Sequence, residues 1–294
     1  IAGLTAAQVG ALSTDQVGAL GTAQLAAFSA AQLGALGADD IAAISADGIA
    51  AISAKSISGL SNAAVTTLSE DQIGAVTNAQ IAALKPSQVA ALTTDQVGNL
   101  STGQVGALSA AQVAALTTDQ IGALSTDQVA AIGAKSVVGM TTAQVGALST
   151  EQVGALGTAQ IAALSAAQVG ALGAADIAGI SADGIAAISA KSISGLSNTA
   201  VAALTTEQLA AVTTSQIAAL KPAQVAAFTA DQIGDLSTGQ VGALTSAQIA
   251  ALTLTQLAEF SADQIGAISA KSVAGLTTAQ MGGLTTDQVG ALGT

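Results

Sequence analysis

Apolar side chains return along this chain every eight residues without a slip. From Leu4 to Ala291 the sequence divides into 36 octads with no insertion or deletion between them. When each octad is numbered from its leucine, position one is Leu, Ile, Val, Met or Phe throughout, and position six is Val, Ile, Leu or Met throughout. Ser or Thr fills position two in 29 octads, Gln fills position five in 26, and positions seven and eight are mostly Gly or Ala. Such a register specifies one small cross-section repeated many times, so it points to a solenoid and away from a globular domain.

Each octad reads as one short helix. Ser or Thr at position two with Gln at position five has the spacing of a capping box, in which the hydroxyl serves the N3 amide and the Gln reaches back to the N-cap amide. The pair occurs in 22 octads. Acidic residues gather at position four, as in Asp15, Asp71, Asp95, Asp127 and Glu151, inside a first helical turn whose dipole favours them. Both prolines, Pro86 and Pro222, stand at position three, the first helical residue, where a missing N–H costs nothing.

The helix cannot run on into the next octad. Eight residues at about 100° each advance the apolar stripe by roughly 80° per unit and would smear it around the cylinder. With one helix per octad, position six and the following position one lie three apart and share a face. A β-solenoid is the alternative, although a strand would send those positions to opposite faces and the Ala/Gly columns are poor strand formers. Two aliphatic side chains per octad cannot offset the ordering of eight residues, so octads must pack on one another, and small residues at positions seven and eight let backbones approach. The expected fold is an all-α solenoid of very short helices, one per octad, with positions one and six lining a narrow interior.

A longer repeat lies over the octads. Residues 37–62 recur as 173–198, and Lys85-Pro86 as Lys221-Pro222, at a shift of 136 residues or 17 octads. The chain therefore reads as a single continuous array over 1–294, in which a 17-octad block, 37–172, is copied as 173–294. Departures from Gln at position five cluster in Asp40, Gly48, Ser56 and Ala64 and again in Asp176, Gly184, Ser192 and Ala200. Lys55, Lys135, Lys191 and Lys271 occupy position four at spacings of ten, seven and ten octads. At about 3.4 octads per turn those spacings are close to whole turns, which would bring the four lysines near one face. Copying of an octad with no geometric meaning explains the spacing equally well.

Composition removes most chemistry. The chain has no Cys, His, Trp, Tyr or Arg, so thiolate and imidazole catalysis and Cys/His metal capture are excluded. A net charge of −12 argues against nucleic acid and anionic membrane surfaces as partners. Polar residues interrupt every octad, so no apolar run approaches the roughly 20 residues of a membrane helix. The sequence opens at Ile1, already position six, without Met or a signal peptide, as a window from a longer array or a processed product would.

Three constellations are candidate sites. Lys55-Ser56 and its copies could form a Ser–Lys nucleophile pair, but no third group orients it and no oxyanion hole is in view, so a surface lysine beside a serine is the better reading. Asp39, Asp40 and Asp47 are the densest acids, and dipole complementarity accounts for them better than cation binding does. Thr-Thr pairs such as Thr93-Thr94 and Thr117-Thr118 suggest an ice-binding face, but the first hydroxyl is needed as a cap and the column mixes Ser, Thr and Gly. No catalytic, cofactor or metal residue is assigned.

The tandem pattern L-[ST]-x-x-Q-[VI]-x-A, seen across 140–156, resembles octapeptide-repeat arrays of large secreted, adhesin-like surface proteins of proteobacteria. The resemblance spans the whole chain and carries no ligand motif. It implies a structural, non-enzymatic role as an extracellular fibre or adhesin stalk, at the cell surface or in a biofilm, with end-to-end or lateral self-association. A solenoid that binds carbohydrate or protein partners is the alternative, with ice binding behind it.

Overall fold

The computed structural model describes residues 3–292, which contain 36 α-helices and no strand. Every helix is four to six residues long and begins at position three of its octad, as in Thr14–Gly18, Pro86–Ala91 and Thr126–Ala131. The solenoid of short helices read from the octad is the fold. Between helices, positions one and two are extended: Leu116 has φ −61° and ψ 144°, and Thr117 φ −76° and ψ 165°. The N–H of Leu116 donates to Val113 O at 3.2 Å, closing one helix two residues before the next begins.

By contacts the chain forms two compact units, 1–148 and 149–294. Within each unit a helix packs on the third helix along, Ala46–Ala51 on Glu70–Ala75 in the first and Ala182–Ala187 on Thr206–Ala211 in the second. Hydrogen bonds between turns span 26 to 31 residues. That is more than three octads and fewer than four, and it brackets the expected 3.4.

Positions one and six make the interior. Val113, Ile49 and Ile185 are fully buried, and Leu100 and Leu124 nearly so. Met281 and Val289, at position six of the last two octads, are instead 41% and 47% exposed. Ile1, the first position-six residue, lies outside the described residues. A void of about 10 Å³ among Ile57, Leu60, Val65, Ile73, Val76 and Ile81 is the size of a single water and wholly apolar, so it stays dry.

Close backbone approach explains only some glycines. A Cβ on Gly10 would stand 2.8 Å from Ala35 O, whereas one on Gly74 would meet nothing within 4 Å. Gly74→Ala should therefore raise stability by roughly 0.5–1 kcal/mol, since alanine loses less backbone freedom in a helix. Chemical denaturation of the two proteins measures it, and a loss of stability would mean that position seven is crowded even there.

Candidate functional site

The polar machinery of this chain is concentrated in the position-five column. In the octad 124–131, Gln128 Oε1 accepts from the N–H of Ser125 at 2.6 Å, and Ser125 Oγ accepts from the N–H of Gln128 at 3.2 Å. This is the expected capping box, and it forms in all 22 octads that carry the pair. Where Gly or Lys precedes the helix only the glutamine half exists, as when Gly21 N–H donates to Gln24 Oε1 at 2.8 Å and Lys85 N–H to Gln88 Oε1 at 2.7 Å.

The other end of the carboxamide does something the octad alone does not reveal. Gln80 Nε2 donates to Ile52 O and Ile49 O, both at 2.7 Å, 28 and 31 residues back on the preceding turn. Gln216 does the same to Ile188 O at 2.7 Å and Ile185 O at 2.8 Å. The acceptors are the carbonyls of positions one and six at the junction of two earlier octads. Past the first turn, such a glutamine caps its own helix with its oxygen and clamps it to the previous turn with its nitrogen. Gln80, Gln112 and Gln216 are each only 1% exposed. A buried carboxamide with both ends engaged is stabilising, whereas the same group half-satisfied would be costly.

Position five tolerates substitutes that solve the same problem differently. Ser56 Oγ donates to Phe28 O at 2.6 Å, and Ser136, Ser192 and Ser272 donate to Leu108 O, Leu164 O and Leu244 O at 2.6–2.7 Å. Serine is much shorter than glutamine, so the turns close up. A Cβ on Gly59, Gly139, Gly195 or Gly275, at position eight of these octads, would lie 1.9–2.2 Å from a backbone oxygen of the preceding turn. In the aspartate octad 172–179 the equivalent distance, Gly179 to Thr150 O, is 3.5 Å. Asp40 and Asp176 cannot donate, and each accepts instead from a threonine hydroxyl on the preceding turn, Thr14 at 2.8 Å and Thr150 at 3.0 Å.

The candidate constellations fall into place on this frame. Ser56 is buried, with its hydroxyl proton committed to Phe28 O, so it is a structural donor beside the exposed Lys55. Asp39 and Asp47 point to solvent, while Asp40 serves the N–H of Gly37 at 2.9 Å. No group of three His, Cys, Asp or Glu able to hold a metal ion occurs among the described residues. In the Thr-Thr pair, Thr93 Oγ1 accepts from the N–H of Gln96 at 3.1 Å, so it is a cap. Glu151, fully exposed, has its carboxyl held below the ordinary 4.5 by its own backbone N–H and then by the Ser149 hydroxyl. Its small stabilising effect is present above that ordinary value and is lost as pH falls through the lowered one.

The surface also carries clefts. One, of about 640 Å³, is open and lined by Glu70, Thr94, Asp95, Gly98, Asn99 and Ala123. Another, of about 260 Å³, lies beside Thr245, Ser246, Ser269, Lys271 and Ser272. No helix among the described residues is long and apolar enough to cross a membrane.

No curated protein matches the chain. Among solved structures, the leucine-rich repeat-containing protein LegL7 from Legionella pneumophila is similar over 85% of this chain and 80% of its own, at 13% identity and a TM-score of 0.20, values at which the likeness carries no argument. The ALTTAQ repeat matches residues 17–46, 74–102, 100–134, 126–158, 185–222, 201–238, 213–246 and 258–294, together well over half of the chain. The segment ALTTDQ (91–96) shows what that signature encodes: Ala91 ends one helix, Leu92 enters the interior, Thr93 caps the next helix and Gln96 clamps it to the turn before. The chain belongs to the ALTTAQ repeat family.

Proposed function

We propose that this chain is a non-catalytic structural element whose number of octads sets a distance, serving in an extracellular fibre or adhesin stalk at a cell surface or in a biofilm. The observation that supports this reading is that the array consumes its own polar side chains. Serine and threonine hydroxyls cap helices, glutamine amides join turns, and among the described residues no buried side-chain nitrogen or oxygen lacks a partner. What faces outward is mainly Ala, Gly, Thr and Asp, which offers a ligand little to grip. Copies associate with one another, end to end or laterally, and the acidic surface keeps nucleic acid away.

Deleting one 17-octad block from the protein in its native host tests the role. The stalk reading expects display on the cell exterior to persist with shorter reach, measured by immunogold labelling and electron microscopy. Label confined to the cytoplasm would overturn it. The open cleft at Glu70 and Asp95 favours a second reading, a solenoid that binds carbohydrate or protein. Loss of a soluble ligand on Glu70→Ala and Asp95→Ala substitution, with reach unchanged, would establish that one instead.

A further inference from the structure

In each unit four consecutive octads, about one turn, are built without a glutamine at position five. In the first unit these carry Asp40, Gly48, Ser56 and Ala64. Their side-chain ties to the turn before are the Thr14 hydroxyl to Asp40, the Ser56 hydroxyl to Phe28 O and, from position eight of the last octad, the Thr67 hydroxyl to Ala38 O at 3.2 Å. Gly48 and Ala64 have no side-chain donor to offer. The four octads that follow are tied quite differently, since Gln72, Gln80 and Gln96 each reach carbonyls both 28 and 31 residues back, and Gln88 reaches Leu60 O. The second unit repeats the contrast. Asp176 and Ser192 each make one tie, to Thr150 and Leu164 O, Gly184 and Ala200 offer no donor, and Gln208, Gln216 and Gln232 then clamp doubly.

We infer that the glutamine-free turns, 36–67 and 172–203, are yielding elements at which the array opens before it opens anywhere between clamped turns. The opening has a pivot. Gly59 and Gly195 sit against the backbone of Ala30 and Ala166 more closely than any side chain would permit, so the serine octad stays seated. The octads of Asp176 and Ala200 begin and end the turn, and their helices, Ala174–Gly179 and Asn198–Ala202, pack together. They part on that side, where one half-buried hydroxyl–carboxylate bond and an alanine stand in place of two amide clamps. A single bond within reach of solvent is exchanged for water more readily than a buried double clamp, which must be broken outright. Under the structural role proposed above, an array with two such turns lengthens at defined places and recloses, because the pivot preserves the register.

Native-state hydrogen exchange on the intact chain, read by mass spectrometry, tests this. Helix amides in 173–203 should exchange about tenfold faster than those in 205–235. Ala200→Gln places a carboxamide where Leu172 O and Val169 O lie 28 and 31 residues back, and should slow exchange in 196–203 to within about twofold of the clamped turn. Gly184→Gln should not, because a Cβ there lies 2.6 Å from Ile180 Cγ2. Equal protection of 173–203 and 205–235 in the unaltered chain overturns the inference whatever the variants do. A folded Ala200→Gln chain, verified by circular dichroism, with unchanged exchange overturns it as well.

Discussion

Gln128→Glu should destabilise the first unit by on the order of 3–5 kcal/mol at neutral pH, the cost of leaving a buried charge without a partner. The substitution keeps shape and retains an oxygen for the N–H of Ser125, but it replaces the amide that faces Leu100 O at 2.6 Å and Gly98 O at 3.0 Å with a second acceptor. Gln128 is 3% exposed, so water cannot intervene. Burial beside carbonyl oxygens raises the folded-state pKa of the introduced carboxyl above its unfolded value of about 4.3. Stability relative to the parent is therefore highest below about pH 4.3, where the protonated acid can donate to Leu100 O, and is lost as pH rises through the raised value. Gln128→Met, which removes both hydrogen-bonding ends without adding charge, should cost about 1–3 kcal/mol with little pH dependence. Urea denaturation at pH 4 and pH 7 distinguishes the two. Equal losses at both pH values for the acidic variant would show that the column is open to solvent.

Gly195→Ala should cost on the order of 3 kcal/mol, because its Cβ would lie 1.9 Å from Ala166 O, a backbone atom that cannot rotate away. The neighbours grade the effect. Gly179→Ala meets the flexible Thr150 Cγ2 at 3.1 Å and should cost far less, and Gly74→Ala should stabilise. Thermal denaturation of the three variants should rank them in that order. A Gly195→Ala chain as stable as the parent would mean that the turns at the serine octads separate freely. The origin of the crowding is Ser192, whose short side chain reaches Leu164 O only if the turns draw together.

The helix starts were legible because capping, charge and proline signals all act within one octad, and the interior followed from the spacing of positions one and six. The clamp was not legible, because it joins residues 28 and 31 apart, and an unbroken register does not say which earlier carbonyl lies opposite. A signal for it was nevertheless present. A capping box accepts Glu as readily as Gln, yet in a chain with three times as many acids as lysines position five holds no Glu. Only a side chain that also donates satisfies both ends. The coupling of Ser56, Ser136, Ser192 and Ser272 to Gly59, Gly139, Gly195 and Gly275 can likewise be read in the sequence. Its meaning required the backbone distance. The opposite lesson comes from Gly74, where a residue that looked necessary for packing faces open space.

The direction of the clamp has a consequence for how such a chain is made. The Nε2 of Gln80, Gln112, Gln216 and Gln248 alike donates toward residues of lower number. During synthesis the carbonyls that a glutamine needs have therefore already left the ribosome and can already be folded when that glutamine emerges. Each finished turn presents its successor with carbonyls already in place, so the array is built to grow from its amino-terminal side as a crystal grows from a seed, one octad added at a time onto an edge that is already ordered.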